Sequence, residues 1–443
     1  RVAARDVSAR ELAEVCLARI GRLNPVLNAF RVVLADEALA AADAADAAVA
    51  DGSAGPLAGV PVAIKDDADL AGQITTHGTA ATGTAPARED AEVVRRLRRA
   101  GAVLVGKTNV PELTIWPFTE TLSFGAARNP WDLDRTPGGS SGGSGAAVAA
   151  ALCGVALGSD GAGSIRIPSS FCGLFGVKTQ RGRLPGTDGW HGLSVFGPIA
   201  RRVADAALFL DVTADDPPEG GFARAAATPP GRLRIAVSTD LPPGLVARLG
   251  ADQRRAVDEM AGVLRELGHE VFEREIDYGT VTPRNLLTRY VRGVHDDAAR
   301  LPYPGRLERR SREFARMGGA IPAVAARRAS AGAGGLAERI GAVFEQADVA
   351  LVPGPTGPPF TVGEFQRSSA AATLLAVARR VPYYGPFNVT GQPAASVPAG
   401  FDVLGLPTSV QLVGRLRDEA TLLSLAGQIE QARPWADRRP PVG

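Results

Sequence analysis

The 443-residue chain has few cysteines and no hydrophobic run long enough to cross a membrane. Cys16, Cys153 and Cys172 are too sparse, and odd in number, for a disulfide framework, which predicts a reducing, cytoplasmic location. The longest strongly apolar run, Ala146 to Gly158, is shorter than the roughly 20 residues that span a bilayer. We therefore expect no membrane insertion and interpret this run as part of a buried helix. Because the chain starts at Arg1 rather than at Met, the loss of an upstream segment stays open.

The charge is balanced and histidine is scarce. The 49 basic and 47 acidic residues leave a net charge of +2, without a basic cluster, so we expect neither nucleic acid nor an anionic membrane as partner. No two of the four histidines have metal-ligand spacing, so we expect neither a metal nor a cofactor.

Lysine is rarer still. It occurs only at Lys65, Lys107 and Lys178, whereas arginine occurs 49 − 3 = 46 times. Arginine cannot give up its proton in a protein, but a buried lysine can. A lysine acting as a base is one reason to keep the residue, and chance or packing is the more ordinary reason for any single one.

Apolar segments alternate between helical and strand patterns, which predicts an α/β layered fold with helices on both faces of the sheet. Ser8-Ala9-Arg10-Glu11 has the form of a capping box that begins the first helix. The Pro/Gly/Asp-rich stretch from Asp215 to Ala227 is interpreted as an excursion from one domain. Further helices are predicted at 36–50, 89–100, 144–152, 252–267 and 418–431, and strands at 60–64, 102–105, 233–237, 270–272, 349–352 and 410–413.

Gly101 to Thr108 matches the phosphate-binding P-loop pattern letter for letter. A P-loop needs flexible residues between a preceding strand and a following helix. Here a helix precedes, and the four middle residues are themselves an apolar strand. Phosphate binding is therefore disfavoured.

Gly138 to Gly142 matches the Gly-x-Ser-x-Gly nucleophile elbow, which normally follows a strand. The preceding residues, Asp132 to Pro137, are polar and turn-like, so this alternative is also disfavoured. The downstream histidines that such a site could use are His191, His269 and His295.

Three segments together point to a specific chemistry. They are Gly-Val-Pro-Val-Ala-Ile-Lys-Asp (59–66), Pro-Gly-Gly-Ser-Ser-Gly-Gly-Ser (137–144) and Gly-Ser-Asp-Gly-Ala-Gly-Ser-Ile-Arg-Ile-Pro (158–168). In this order and spacing they resemble the amidase signature family. The resemblance covers the N-terminal half almost continuously, fades from about Asp215 to Asp348, and returns from Phe387 to Arg415.

The resemblance implies the amidase signature fold, an α/β fold with a central mixed β-sheet covered by helices on both faces. It implies a single domain over 1–443. Within it we expect a catalytic core at about 55–212, a variable substrate-pocket segment at about 213–348 and a C-terminal return to the core at 349–432. It also makes a homodimer reasonable.

Carried over by position, Ser164 is the nucleophile, Ser140 the bridging serine after a cis peptide, and Lys65 the general base. The implied oxyanion hole is Gly161, Ala162 and Gly163, supported from behind by Ser141, Asp160 and Arg166. Cys172 is expected in the core, and Lys107 and Lys178 in structural roles. Family members usually have Thr or Ile and then two glycines where this chain has Gly161 and Ala162. If the turn requires a positive φ at position 162, alanine is strained there.

The residue types suit this chemistry. A serine hydroxyl is a weak nucleophile until a base takes its proton. Lysine has a reference pKa of about 10.4, so burial must lower it before the amine can act as a base at neutral pH. The apolar strand Val60 to Ile64 can supply that burial. Asp66 would oppose it, but adjacent strand residues point to opposite faces, so we expect Asp66 to face away from Lys65.

The sequence thus predicts an amidohydrolase that cleaves a small, mostly neutral amide, ester or carbamate through an acyl-enzyme. The alternatives are the amidase subunit of a glutamine-dependent amidotransferase and, from another class, a non-catalytic nucleotide-binding or scaffold protein. Aromatic residues in the expected pocket loops favour an aryl or alkyl acyl group: Trp116, Phe118, Trp190, Phe196, Tyr383 and Tyr384.

Overall fold

The computed structural model describes residues 2–186 and 189–442. The strands within these ranges are β1 (Phe30–Val33), β2 (Pro61–Lys65), β3 (Val103–Thr108), β4 (Glu120–Thr121), β5 (Gly125–Ala126), β6 (Val155–Asp160), β7 (Phe175–Lys178), β8 (Val195–Ala200), β9 (Arg234–Val237), β10 (Glu270–Glu273), β11 (Val349–Pro353), β12 (Ala394–Phe401) and β13 (Pro407–Gly414).

The helices are α1 (Ala9–Leu27), α2 (Ala35–Asp51), α3 (Glu92–Arg99), α4 (Gly142–Ala149), α5 (Arg166–Cys172), α6 (Gly189–Gly192), α7 (Val203–Thr213), α8 (Gly221–Ala227), α9 (Ala251–Glu266), α10 (Thr282–Arg300), α11 (Arg309–Gly319), α12 (Ala323–Ala331), α13 (Ala333–Gly341), α14 (Ala370–Arg380), α15 (Pro386–Thr390) and α16 (Glu419–Ala432). The turn α6 is irregular, because Trp190 and His191 have positive φ angles of 53° and 56°.

One mixed sheet of eleven strands runs through the molecule in the order β1-β3-β2-β6-β8-β7-β12-β13-β11-β9-β10. Strands β3, β2 and β6 are parallel to one another, and so are β11, β9 and β10. The strands between these two groups pair in antiparallel fashion. Strands β4 and β5 form a separate hairpin.

Helices cover both faces of this sheet, as the strand pattern predicts. On β2, Val62 and Ile64 pack into a core that contains residues of α3, α7, α9 and α16. Ala63, between them, packs on the opposite side with residues of α1, α2 and α4. Because successive strand residues alternate between faces, a strand buried on both sides is apolar throughout, which is why Val60 to Ile64 has no polar position.

Most of the predicted elements are present with shifted ends. The capping box is confirmed, because the Ser8 hydroxyl accepts from the Glu11 N–H and the Glu11 carboxylate accepts from the Ser8 N–H. The helix expected at 144–152 begins at Gly142 and ends at Ala149. The stretch from Asp215 to Ala227 contains α8, whose Phe222 and Ala226 belong to the main core.

Helices α10 and α11, from the middle of the chain, form a second layer together with α14. Their apolar residues form a cluster with the aromatic residues Trp116, Phe118, Phe171 and Trp190. Strands β9 and β10, also from the middle of the chain, lie in the main sheet. The division of the chain at 212 and 348 stays a prediction. Within the described part of the chain, no helix is both long and apolar enough to span a bilayer.

Candidate active site

Lys65 lies at the carboxyl end of β2, and Asp160 lies at the carboxyl end of the adjacent parallel strand β6. Parallel neighbours end at the same edge of a sheet, so these strands bring distant parts of the chain together. The Lys65 side chain is fully buried, and its Nζ donates to Ser140 Oγ (2.7 Å) and to Ser159 Oγ (2.6 Å). The predicted base, at the carboxyl end of β2, is therefore in direct contact with the predicted bridging serine.

The electrostatics of Lys65 are set by burial and by one carboxylate. Burial lowers the pKa of the Lys65 ammonium below its ordinary value, and Asp67, 3.2 Å away, raises it again in part. Asp66 faces elsewhere, as expected, and forms ion pairs with Lys107 (3.0 Å) and Arg31 (2.5 Å). Because the net effect lowers the pKa, a larger fraction of Lys65 is neutral at a given pH than for an exposed lysine.

Asp67 and Ser159 are contacts of Lys65 that were not predicted from the sequence. Ser159 Oγ donates to Asp67 Oδ2 (2.5 Å), so the two residues and Lys65 Nζ form a closed cluster. Asp67 lies in the turn after β2, two residues from Lys65, and this nearness in the sequence was the available signal.

Ser140 follows a cis peptide bond between Gly139 and Ser140. Only glycine fits before it, because a Cβ on Gly139 would lie 2.4 Å from the carbonyl oxygen of Trp116. Helix α4 begins two residues later, at Gly142, and the Ser140 side chain is 1 % exposed. Glycine before Ser140 thus allows the backbone to pack closely against Trp116, in the conformation that brings Ser140 into contact with Lys65.

Ser164 lies in the turn between β6 and α5 and is 9 % exposed. Its carbonyl accepts from the N–H of Ser141 (3.2 Å), which joins the two serine segments through the backbone. Gly163 has φ +119°, where a Cβ would lie 2.6 Å from Ile167 Cδ1. The positive φ therefore falls on Gly163 and not on Ala162, so the strain considered for alanine at 162 does not arise.

The carboxylate of Asp160 organises this turn. It accepts from the N–H groups of Gly163 (2.6 Å) and Ile165 (3.2 Å) and pairs with Arg166 (2.9 Å). Burial would raise the pKa of the Asp160 carboxyl, but Arg166, with Lys178 further away, holds it below its usual range. The predicted pairing of Asp160 with Arg166 is present, and it supports the turn from the side of the sheet.

The bond from Gly163 to Asp160 changes the expected oxyanion hole. The Gly163 N–H was expected to face a substrate oxygen, but here it is committed to Asp160. The N–H groups of Gly161, Ala162 and Ser164 find no acceptor among the described residues. These three are the free backbone donors of the turn.

Arg166 and Ser141 complete the support behind the turn. Arg166 is fully buried and donates to Gln411 Oε1 (2.8 Å) and Asn388 Oδ1 (2.7 Å). Asn388 in turn donates to the Asp160 carbonyl (2.8 Å), a role not predicted from the sequence. Ser141 Oγ donates to the carbonyl of Ser159 (3.2 Å), which ties the segment after the cis peptide to β6.

Two cavities meet at the serines. One, of about 570 Å³, is lined by polar groups that include Ser140, Ser159 and Asp67. The other, of about 500 Å³, is mostly apolar and contains Ser164 and Ala162 in its wall. The two together are large enough for a small-molecule substrate.

The aromatic residues expected in the pocket divide into three groups. Trp116 lines the apolar cavity, Phe196 lines the polar one, and Trp190 lines both. Tyr383 lies against a separate depression, where its hydroxyl donates to the Thr239 carbonyl. The expectation is wrong for two residues that pack in the core instead, namely Phe118 and Tyr384.

Neither disfavoured motif forms the site it resembles. The middle of the P-loop-like segment is strand β3, and Lys107 is buried against Asp66. The other remaining lysine, Lys178, is fully buried and donates to the Thr179 carbonyl. The histidines that a nucleophile elbow could use hydrogen-bond away from both serines, to Asp296, Gln428 and Ala315 respectively for His191, His269 and His295.

The cysteines have no part in the site. Cys16, Cys153 and Cys172 are free and buried, and burial raises the pKa of each thiol, to about 11 in the case of Cys16. Cys172 packs in the core as expected. Among the described residues, no cluster of three or more His, Cys, Asp or Glu side chains is arranged to hold a metal ion.

The chain matches the family Amidase over residues 11–423. A Mycobacterium tuberculosis protein named "Putative amidase AmiB2" is 56 % identical over 442 residues, covering 98 % of this chain and 95 % of that protein. One of the subunits of the glutamyl-tRNA(Gln) amidotransferase of Prochlorococcus marinus is 37 % identical over 488 residues, covering 96 % of this chain and 94 % of that protein.

Solved structures give the same result. The 6-aminohexanoate cyclic dimer hydrolase complexed with substrate superposes with a TM-score of 0.91 at 32 % identity, covering 100 % of this chain and 97 % of the other. The native peptide amidase from Stenotrophomonas maltophilia has a TM-score of 0.82 at 28 % identity, covering 100 % and 96 %. Since sequence and architecture agree over nearly the whole length, the chain belongs to the amidase signature family of hydrolases that act on amide C–N bonds.

Proposed function

We propose that the protein hydrolyses a small, mostly neutral amide, with esters and carbamates as further substrates, through an acyl-enzyme formed on Ser164. Ser140 carries the proton and Lys65 acts as the base. The observation that carries this proposal is the 2.7 Å hydrogen bond between Ser140 and a fully buried Lys65 whose pKa is lowered by that burial.

The proposed proton route uses the contact between Ser140 and Lys65. Ser164 Oγ attacks the carbonyl carbon and gives its proton to Ser140 Oγ, while the Ser140 proton passes to neutral Lys65 Nζ. When the tetrahedral intermediate collapses, the C–N bond breaks and the proton returns through Ser140 to the leaving nitrogen. A water molecule then repeats the sequence on the ester, which releases the acid and restores Ser164.

The negative charge that develops on the carbonyl oxygen needs donors. We assign this role to the N–H groups of Gly161, Ala162 and Ser164, which have no acceptor in the part of the chain that the structure describes. Gly163 is the residue that turns the chain. Losing one such donor typically costs about 3–4 kcal/mol of transition-state stabilisation. Asp160 and Arg166 hold the turn so that these donors need not reorganise.

The amidotransferase alternative is less well supported. Identity to the mycobacterial protein is 56 %, against 37 % to the amidotransferase protein. Hydrolysis by the isolated chain, without partner subunits, separates the two. The scaffold alternative has no support in the P-loop-like segment, which is a strand. The homodimer and the cytoplasmic location stay predictions.

The test is hydrolysis of simple amides and p-nitrophenyl esters by purified wild type and by Ser164→Ala, Ser140→Ala, Lys65→Ala and Lys65→Arg. The proposal expects each change to lower kcat at least about a hundredfold. Lys65→Arg must fail with the others, since arginine keeps the charge but does not release its proton.

The matched control is Ser169→Ala on α5, whose hydroxyl is buried and donates to the Ile165 carbonyl. It should retain activity. Thermal unfolding of every variant separates lost chemistry from lost folding. Wild-type activity in Ser164→Ala would refute the proposed nucleophile.

A further inference from the structure

The two cavities divide the reacting groups between them. Ser164 and Ala162, the proposed nucleophile and one oxyanion donor, line the apolar cavity. Ser140, through which the proposed proton returns to the leaving nitrogen, lines the polar cavity. A substrate carbonyl bonded to Ser164 therefore has its acyl side and its amine side in different surroundings.

Trp190 separates the two cavities and lines both. Its ring packs against Gly161, where a Cβ would lie 2.7 Å from the ring atoms. Its Nε1 donates to Asp297 (3.0 Å) on the polar side, and its ring lies 4.7 Å from that of Tyr290 on the apolar side. The indole is thus fixed from both directions.

The apolar cavity is walled by helices α10, α11 and α14. Three of its residues are among the exposed large hydrophobic side chains of the molecule, Leu287 at 44 %, Met317 at 37 % and Leu375 at 57 %. Exposed apolar side chains that converge on one concave opening mark a binding site rather than scattered surface residues.

From this arrangement we infer that the preferred substrates are amides and esters of hydrocarbon carboxylic acids. The acyl chain occupies the apolar cavity between α10 and α14, and the amine or alcohol leaves through the polar cavity on the other side of Trp190. This inference rests on the proposed roles of Ser164 and Ser140. It assigns the acyl group expected from the sequence to a particular cavity and adds the orientation of the substrate.

The apolar cavity sets the expected gain in kcat/KM with acyl chain length. Each methylene that leaves water for an apolar site contributes about 0.8 kcal/mol, or about fourfold in kcat/KM. For p-nitrophenyl acetate, butyrate and hexanoate, which share one leaving group, kcat/KM should rise by up to about 16-fold at each two-carbon step.

The orientation is tested with two isomeric amides, N-methylheptanamide and N-hexylacetamide. They carry the same six-carbon chain on the acyl side and on the amine side respectively. The acyl-side isomer should be hydrolysed at least about 30-fold better in kcat/KM, with an upper bound of about 1,000-fold from five methylenes. Trp190→Ala, which opens the wall, should reduce this preference.

Two variants on α14 test whether the dependence of kcat/KM on acyl chain length arises in the apolar cavity. Ala378 lines the apolar cavity, whereas Ala372 on the same helix is exposed and lies outside it. Ala378→Phe should lower the ratio of hexanoate to acetate kcat/KM at least tenfold. Ala372→Phe should leave both that ratio and acetate turnover unchanged.

A flat ester series, or equal turnover of the two amide isomers, would overturn the inference while Ser164-dependent hydrolysis leaves the proposed function intact. The absence of any Ser164-dependent turnover in the ester series would overturn the proposed function, and the inference with it. An unchanged chain-length ratio in Ala378→Phe would show that the acyl chain binds elsewhere.

Discussion

Asp67 limits the availability of the proposed base, and its replacement is the most informative single change. Burial lowers the pKa of Lys65, and the Asp67 carboxylate raises it. Asp67→Asn removes the negative charge and keeps an oxygen that can accept from Ser159 Oγ. Lys65 should then lose its proton more easily, so the acid limb of the pH profile of kcat/KM should move to lower pH.

The size of the effect follows from the geometry. Asp67 Oδ2 lies 3.2 Å from Lys65 Nζ, and the Asp67 side chain is 11 % exposed. Two unit charges at that separation interact by about 5 kcal/mol at an effective dielectric constant of about 20. If solvent and protein relaxation leave only a quarter of this, about 1.3 kcal/mol remains, which corresponds to about tenfold.

The assay is kcat/KM for p-nitrophenyl butyrate between about pH 5 and about pH 10. On the acid limb, Asp67→Asn should exceed wild type about tenfold at a fixed pH, and the two should converge on the plateau. The control is Asp69→Asn. Asp69 is exposed, lines the polar cavity together with Asp67, and has no contact with Lys65. A limb that moves to higher pH, or an equal shift in Asp69→Asn, would refute the reasoning.

Three further predictions concern the turn that carries the nucleophile. Gly163→Ala should destabilise the fold by about 1–3 kcal/mol and lower kcat, because a Cβ at φ +119° would lie 2.6 Å from Ile167 Cδ1; wild-type denaturation and kinetics would contradict this. Arg166→Gln should cost about 3–5 kcal/mol in urea denaturation, since it leaves the Asp160 carboxylate buried without its partner, and a cost below about 1 kcal/mol would refute it. The folded pKa of Asp160 is depressed, so its stabilisation is complete above the ordinary carboxyl value near 3.9 and is lost as the pH falls below it. The stability gap between wild type and Asp160→Asn should therefore narrow below about pH 4, and a gap that widens there would be inconsistent with this assignment.

Local pattern was enough to predict the strand that buries Lys65 and the direction of Asp66. The first follows from an unbroken apolar run, and the second from the reversal of side-chain direction between consecutive residues. Asp67 lies in the turn beyond the end of β2, where strict alternation does not hold. Local pattern did not predict that the Gly163 N–H donates to Asp160, a side-chain acceptor three residues away.

The remaining contacts could not be predicted from local pattern. Asn388 reaches Asp160 across 228 positions of sequence, and this contact depends on how the C-terminal strands return to the sheet. The leucines of α10 and α14 look like the apolar faces of ordinary amphipathic helices, which normally pack on a core. Phe118 and Tyr384 were expected to line the pocket, but both are buried in the core.

The central claim is that Ser164 is a nucleophile activated by Lys65. The most direct measurement is labelling with a fluorophosphonate probe, mapped by peptide mass spectrometry, in wild type and in Lys65→Ala. We expect modification of Ser164 that is strongly reduced in Lys65→Ala. Modification of Ser140 that does not depend on Lys65 would contradict it.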